Sequence, residues 1–166
     1  MNAATHPLLH TTLPLIQAPM AGVQGSRLAL AVSEAGGLGS LPCAMLSPDA
    51  LRAELAALRA GTRRPWNLNF FCHAPALPDE GREAAWRARL APLHAEYGTT
   101  PGPAGGARAP FSHGLADLVE EAAFADLPRV VSFHFGLPAP DLLARVKGWG
   151  ATVLSSATTV AEARWL

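Results

Sequence analysis

The stretch RVVSFHFGLPAPDLLARVKGWGATVLSS, residues 129–156, indicates the fold class. An apolar segment with strand character is followed by a segment with helical spacing and by a second short apolar segment at Thr152 to Ser155. The apolar residues that define the helical spacing are Leu142, Leu143, Val146 and Trp149. Two strands that are joined through a helix pair in parallel, so this stretch predicts an α/β fold.

The segments before residue 129 repeat this alternation. A short apolar strand from Leu13 to Gln17 is predicted to lead through a loop into a helix, with Ser26 as its N-cap and Gly36 as its stop. A second strand covers residues 38–41, and the next helix has Ser47 as its cap. The first position of that helix and its apolar stripe are Pro48, Leu51, Leu55 and Leu58.

A third strand and two further helices are predicted before the quoted stretch. The strand runs from Trp66 to Phe71 and alternates Trp66, Leu68 and Phe70 with Asn67, Asn69 and Phe71. One helix covers about 79–97, residues 98–110 form a loop, and a second helix covers about 112–125. The apolar stripe of the first helix is Trp86, Leu90 and Leu93. Near the end of the chain, Thr159 and Glu162 have capping-box spacing, which begins another helix.

Strands that alternate with amphipathic helices are typical of two architectures. An open doubly wound sheet and a closed (β/α)8 barrel both satisfy this order. A complete barrel needs eight units and about 200 residues or more. With about five units in 166 residues, the chain is predicted to be the amino-terminal part of one larger domain.

Composition excludes several classes of function. Thirteen basic and 13 acidic residues cancel, and lysine and arginine form no continuous run, so a nucleic acid partner is not expected. No stretch reaches the roughly 18 to 20 apolar residues of a membrane helix, and a signal-peptide pattern is absent, so a cytoplasmic location is expected. Cys43 and Cys72 are too few and too far apart for a disulfide framework or a zinc site.

Polar residues are expected to collect where the predicted strands end. Alternation places Phe133 and Phe135 on one face of the fourth strand and His134 on the other. The carboxyl ends of parallel strands form the active site in such folds, and all five predicted strand ends hold polar or special residues. A strand histidine is often a partly buried residue without chemistry, but this position favours a functional His134.

The other candidate residues carry weaker signals. Gln17 and Asn69 fit strand-end caps as well as ligand contacts, Gly22 fits a simple turn, and His73 fits a solvated loop. The histidines share no ligand spacing, so no metal site is expected, and no dinucleotide-binding or phosphate-loop motif occurs. The proline and glycine content of residues 98–110 permits a lid or a linker.

Four segments, in order along the chain, together resemble nitronate monooxygenase of the bacterial class I type. They are PLIQAPMAG at 14–22, AGGLGSL at 35–41, NLNFFCH at 67–73 and VVSFHFGLP at 130–138. The resemblance runs through nearly the whole chain from Leu13 onward. It implies an FMN-dependent (β/α)8 TIM barrel that oxidises alkyl nitronates, such as propionate 3-nitronate, with dioxygen.

The resemblance also implies roles for individual residues. His134 matches the active-site histidine of the family, an acid/base or electrostatic catalyst, and Asn69 matches its flavin-contacting asparagine. Ala18, Pro19 and Met20 would run against the flavin and offer it main-chain groups. The phosphate-binding glycines of the family belong to later units, which this sequence does not contain.

Two alternatives stay open beside this hypothesis. One is another FMN-barrel oxidoreductase, such as an enoyl-thioester reductase, which shares the early Gln-Ala-Pro-Met type of loop. The other is an inactive truncated fragment, because an incomplete barrel leaves two strand edges unpaired.

Overall fold

The chain alternates helices and strands through most of its length. The computed structural model describes residues 6–75, 77, 79–102, 109–123 and 127–166. Two compact units are present, one drawn from residues 1–73 and 109–166 and the other from residues 74–108. In chain order the elements are α1 (Ser26–Glu34), β1 (Gly39–Pro42), α2 (Pro48–Gly61), β2 (Trp66–Phe71), α3 (Glu80–Glu96), α4 (His113–Ala123), β3 (Val130–His134), α5 (Pro140–Gly148), β4 (Thr152–Ser155) and α6 (Val160–Trp165).

The order of the strands distinguishes a barrel from an open sheet. The four strands pair in parallel in the order β1-β2-β3-β4, so each strand lies beside the next one along the chain. A doubly wound sheet reverses its strand order at a switch point, whereas a (β/α)8 barrel does not. The fold is therefore the TIM-barrel type, and the four described strands are consecutive neighbours in it.

The first predicted strand does not form as expected. Instead of a strand from Leu13 to Gln17, it contains a single parallel bridge between Ile16 and Leu38. Two hydrogen bonds flank this bridge, from Gln17 N to Leu38 O and from Leu38 N to Leu15 O. The segment occupies the sheet edge beside β1, and Pro14 has no N–H with which to extend the pairing.

The N-cap residue predicted from the sequence is confirmed for α2 but not for α1. The Ser47 side chain accepts a hydrogen bond from Ala50 N, which confirms the predicted cap of α2. Ser26 was expected to cap α1, yet it is the first helical residue, and Gly25 precedes it. The carboxylate of Glu54, on α2, accepts from Ser26 N at 2.6 Å instead. A residue 28 positions away therefore satisfies an amide group that is open at any helix start.

The sheet has two faces of different character. The predicted alternation in β2 is confirmed, because Trp66, Leu68 and Phe70 join the main apolar core that the helices cover. On the opposite face, Leu38 and Val130 form a small second cluster with Leu9 from the amino-terminal segment. Asn67 and Asn69 lie on this second face, which is the interior of the barrel.

The predicted helices of the second half are present with small changes of boundary. Helix α3 is capped by Asp79, and its stripe residues Trp86 and Leu93 are 58% and 49% exposed. Helix α4 ends at Ala123, and residues 124 and 125 of that prediction lie outside the described residues. The same is true of 103–108 in the predicted loop. The capping pair Thr159 and Glu162 is confirmed at α6.

Candidate active site

His134 is the last residue of β3 and lies at the carboxyl end of the sheet. Its Nδ1 is 2.8 Å from the hydroxyl oxygen of Ser156, which follows β4. Among the described residues, Nε2 of this ring has no hydrogen-bond partner. One nitrogen is thus held by a neighbouring strand end, and the other is available to a bound molecule.

A buried polar layer lies beneath this histidine on the interior face. Ser132 Oγ accepts hydrogen bonds from the side-chain amides of Asn67 and Asn69, both at 2.9 Å. Asn67 also donates to Ser40 Oγ at 3.0 Å, and Asn69 donates to Ser132 O at 3.3 Å. All four residues are at most 9% exposed. The layer fixes the direction of the Asn69 amide, because its nitrogen is committed to Ser132.

The loop after the bridge at Ile16 is held by two glutamine side chains. Gln17 accepts from Ser40 N at 3.0 Å and donates to Ala18 O at 2.9 Å. Gln24 donates to the same Ala18 oxygen at 3.0 Å. Within the described part of the chain, the main-chain N–H groups of Ala18 and Met20 have no partner. The loop therefore presents free donors, while no hydrogen bond joins it to Asn69 or His134 in that part.

Aromatic rings surround the carboxyl end of β3. The ring centroid of Phe71 lies 6.2 Å from that of His134 and 5.0 Å from that of Phe135, and His73 lies 6.3 Å from Phe135. His73, expected as a solvated loop residue, lies in the loop after β2 with intermediate exposure, and its ring contacts those of Phe71 and Phe135. The cluster gives the site an apolar wall.

Phe135 differs from the sequence prediction, which put it on the same face as Phe133. Phe133 is fully buried, but Phe135 is 62% exposed and has a φ of 66°. The strand ends at His134, and a left-handed residue turns the chain before Gly136, whose φ is 101°. Such a conformation costs a phenylalanine about 1 kcal/mol or more. Ser155 Oγ holds the turn by donating to the carbonyls on either side of Phe135, those of Phe133 and Gly136.

The cysteines fit a structural role. Burial raises the pKa of the Cys43 thiol far above its usual value, and it raises the pKa of Cys72 to about 11. Both thiols are free. Among the described residues, no group of three or more histidine, cysteine or acidic side chains could hold a metal ion.

Two residues of this site were not singled out from the sequence. Ser156 lies in the polar segment after the predicted fifth strand, but its contact with His134 depends on the register of β3 and β4. Gln24 lies in a helix-leading loop with no motif around it. Knowledge of strand order could have suggested Ser156, since the two strands are sequential neighbours, whereas nothing in the sequence pointed to Gln24.

Comparison with known proteins gives a family for this arrangement. A model of the family described as nitronate monooxygenase matches residues 3–166. The chain belongs to the nitronate monooxygenase family. A nitronate monooxygenase from Paraburkholderia phytofirmans is 46% identical over 158 residues, which cover 95% of this chain and 43% of the relative. One from Pseudomonas aeruginosa is 40% identical and covers 94% and 44%, respectively.

Solved structures agree with this family and with its fold. A nitroalkane oxidase from Streptomyces ansochromogenes aligns with a TM-score of 0.76 at 38% identity, covering 93% of this chain and 43% of that one. FabK from Thermotoga maritima aligns with a TM-score of 0.62 at 25% identity, and the alignment covers 95% of this chain and 38% of the FabK chain. The chain therefore spans less than half the length of these nitronate monooxygenases and of both solved proteins. No helix among the described residues is long and apolar enough to cross a membrane.

Proposed function

We propose that the protein is an FMN-dependent nitronate monooxygenase, which oxidises alkyl nitronates such as propionate 3-nitronate with dioxygen. The observation that carries this proposal is His134, which is held through Nδ1 by Ser156 and open at Nε2. It lies at the end of the sheet where barrel enzymes of this type do their chemistry. The relatives named above support the same reaction class.

The residues at this end fit a flavin ring. An isoalloxazine ring presents carbonyl and ring-nitrogen acceptors at one edge, together with one N–H donor. The free N–H groups of Ala18 and Met20 suit the acceptors, and Pro19 between them limits the freedom of the loop. The Asn69 amide is directed by Ser132, which leaves its Oδ1 to accept from the ring N–H. FMN, when bound, supplies the electron transfer of the reaction.

His134 has two possible roles toward the substrate. A nitronate is an anion, so a protonated imidazole near its oxygens would stabilise the negative charge. With a neutral nitroalkane, a neutral Nε2 would take the α-proton as general base. In either role, the Ser156 hydroxyl keeps the ring from rotating, and the ring contact with Phe71 limits the water around it.

The test measures oxygen consumption by the purified protein with propionate 3-nitronate. His134→Asn should lower kcat/KM by about 100-fold or more, within the range of general acid and base catalysis. His94→Asn is the matched control, because the His94 Nδ1 is also 2.8 Å from a hydroxyl, that of Thr99, but on α3. Equal turnover by His134→Asn and the wild type would remove His134 from the mechanism.

The two alternatives make different predictions. An enoyl-thioester reductase would reduce its flavin faster with NAD(P)H than with a nitronate, which stopped-flow absorbance can measure. An inactive fragment would bind FMN poorly as the 166-residue chain, because the phosphate site of such barrels usually comes from the loops after the seventh and eighth strands. Stoichiometric FMN on the purified chain would contradict the fragment hypothesis.

A further inference from the structure

A second candidate site lies at the opposite end of the sheet from His134. A cavity of about 560 Å³ opens where β2 and β3 begin and where α2 and α5 end. Its volume is in the range of small-molecule sites, which is about 300–1,000 Å³. Its lining residues include Arg59, Thr62, Arg63, Arg64, Arg129 and Trp149. We call this cavity the arginine basin.

Three guanidinium groups of the basin have no oppositely charged partner in the described part of the chain. Arg59, Arg64 and Arg129 form no ion pair with any residue that the structure describes. Arg59 Nη1 donates to Ala122 O at 2.5 Å, but its Nε is buried without a partner. A buried donor of this kind costs free energy, and its burial keeps it from a ligand in the cavity. What the basin offers is therefore unbalanced positive charge.

Among the residues that the structure describes, the negative groups near the basin do not balance this charge. The carboxyl ends of α2 and α5 face the basin through Thr62 and Trp149, and each helix end carries about half a negative charge. Glu34 lines an adjoining cavity with Arg64 and accepts from the hydroxyl of Thr62. Together they supply about two negative charges against the three guanidinium groups. On this count of the described residues, the basin has an excess of positive charge in a chain whose net charge is zero.

The chemistry of the walls indicates the kind of ligand. Guanidinium groups bind phosphate through paired N–H donors, which makes arginine the common partner of phosphate groups. Trp149 donates its indole N–H to Glu120 at 2.7 Å, so its ring adds an apolar and fixed wall. We propose that the arginine basin binds a phosphorylated small molecule, held by Arg64 and Arg129, at a site separate from the flavin.

The experiment uses inorganic phosphate as the probe and isothermal titration calorimetry as the measurement. The full-length protein is loaded with FMN and freed of excess FMN, so that phosphate does not enter the flavin site, and ionic strength is kept constant with sodium chloride. The test variant is Arg64→Gln with Arg129→Gln. The matched control is Arg27→Gln with Arg52→Gln, which removes the same charge from exposed positions of α1 and α2 outside the basin.

The expected result is saturable phosphate binding by the wild type and the control variant. The test variant should bind at least about tenfold more weakly, because it loses charge-assisted hydrogen bonds from two arginines. Flavin absorbance checks that every variant retains its fold. Absence of binding by the wild type in millimolar phosphate would overturn the proposal, and so would equal affinity of the test variant and the control.

Discussion

Replacing Ser132 by alanine removes the acceptor at the centre of the interior polar layer. Ser132 Oγ receives the side-chain amides of Asn67 and Asn69, each at 2.9 Å, inside a region with almost no solvent access. The substitution deletes one oxygen and leaves the backbone of β3 unchanged. The change in the free energy of unfolding therefore measures how much the hydrogen bonds to Ser132 Oγ stabilise the fold.

The expected loss of stability depends on which hydrogen bonds each asparagine keeps after the substitution. Asn67 keeps Ser40 Oγ as a partner for one N–H, and its second N–H is left buried and unpaired at a cost of about 2 kcal/mol. Asn69 keeps the Ser132 carbonyl at 3.3 Å, so its loss is about 1 kcal/mol. Ser132→Ala should lower the free energy of unfolding by about 3 kcal/mol, whereas Ser40→Ala should lower it by about 2 kcal/mol, because it leaves one N–H of Asn67 unpaired.

The measurement is urea unfolding followed by circular dichroism, with a midpoint shift of about 1.5 M for a slope of about 2 kcal/mol/M. A double-mutant cycle with Asn67→Ala isolates the interaction, and Ser132→Ala should then cost only about 1 kcal/mol. A cost below about 1 kcal/mol in the wild-type background would refute the reasoning. The same cost in both backgrounds would show that Ser132 acts through something other than Asn67.

Three further outcomes are expected. Ser156→Ala should lower kcat/KM with a nitronate by roughly 10-fold to 100-fold and change its pH profile, while Ser156→Thr keeps the hydroxyl and most of the activity; an unchanged profile would mean that Ser156 does not orient His134. Hydrogen bonds from Arg145 and Trp149 lower the pKa of Glu120 in the folded protein below its unfolded value of about 4.5. The carboxylate therefore stabilises the fold above pH 4.5, and this stabilisation is lost as the pH falls through the folded pKa. Glu120→Gln should therefore cost about 1 kcal/mol at pH 7 and less below pH 4, measured by urea unfolding at both pH values; a constant difference would contradict this. Iodoacetamide should alkylate Cys72 about 100-fold more slowly in the folded protein than in urea at pH 8, because the pKa is about 11 rather than 9.0; mass spectrometry of quenched samples would reveal equal rates if this is wrong.

Much of the fold could be predicted because its signals are local. The leucine stripe of α2 and its Ser47 cap need only the residues of one helix, and both are confirmed. The alternation in β2 likewise separates Leu68 from Asn69 without any partner strand. Prediction was wrong where a distant group replaced a local one, as at α1, where Glu54 takes the position expected for Ser26.

The candidate site could be predicted in part. The position of His134 at a strand end follows from the order of elements, because all parallel strands end at one edge. Its partner Ser156 is 22 residues away, and the contact between Asn69 and Ser132 spans 63 residues, so neither is visible before the register is known. Phe135 was assigned to the wrong face because alternation holds only within a strand, and a left-handed turn begins at this residue.

The arginine basin illustrates the same division between sequence and tertiary structure. The sequence by itself determined the α/β class, most helix boundaries, the polar strand ends and a net charge of zero. It contained no basic run, because Arg59, Arg64 and Arg129 belong to three separate segments. Only the parallel register brings the starts of β2 and β3 together, and with them these charges. Periodicity and capping depend on neighbours in the chain, whereas charge clustering and hydrogen-bond partners depend on which strands lie side by side.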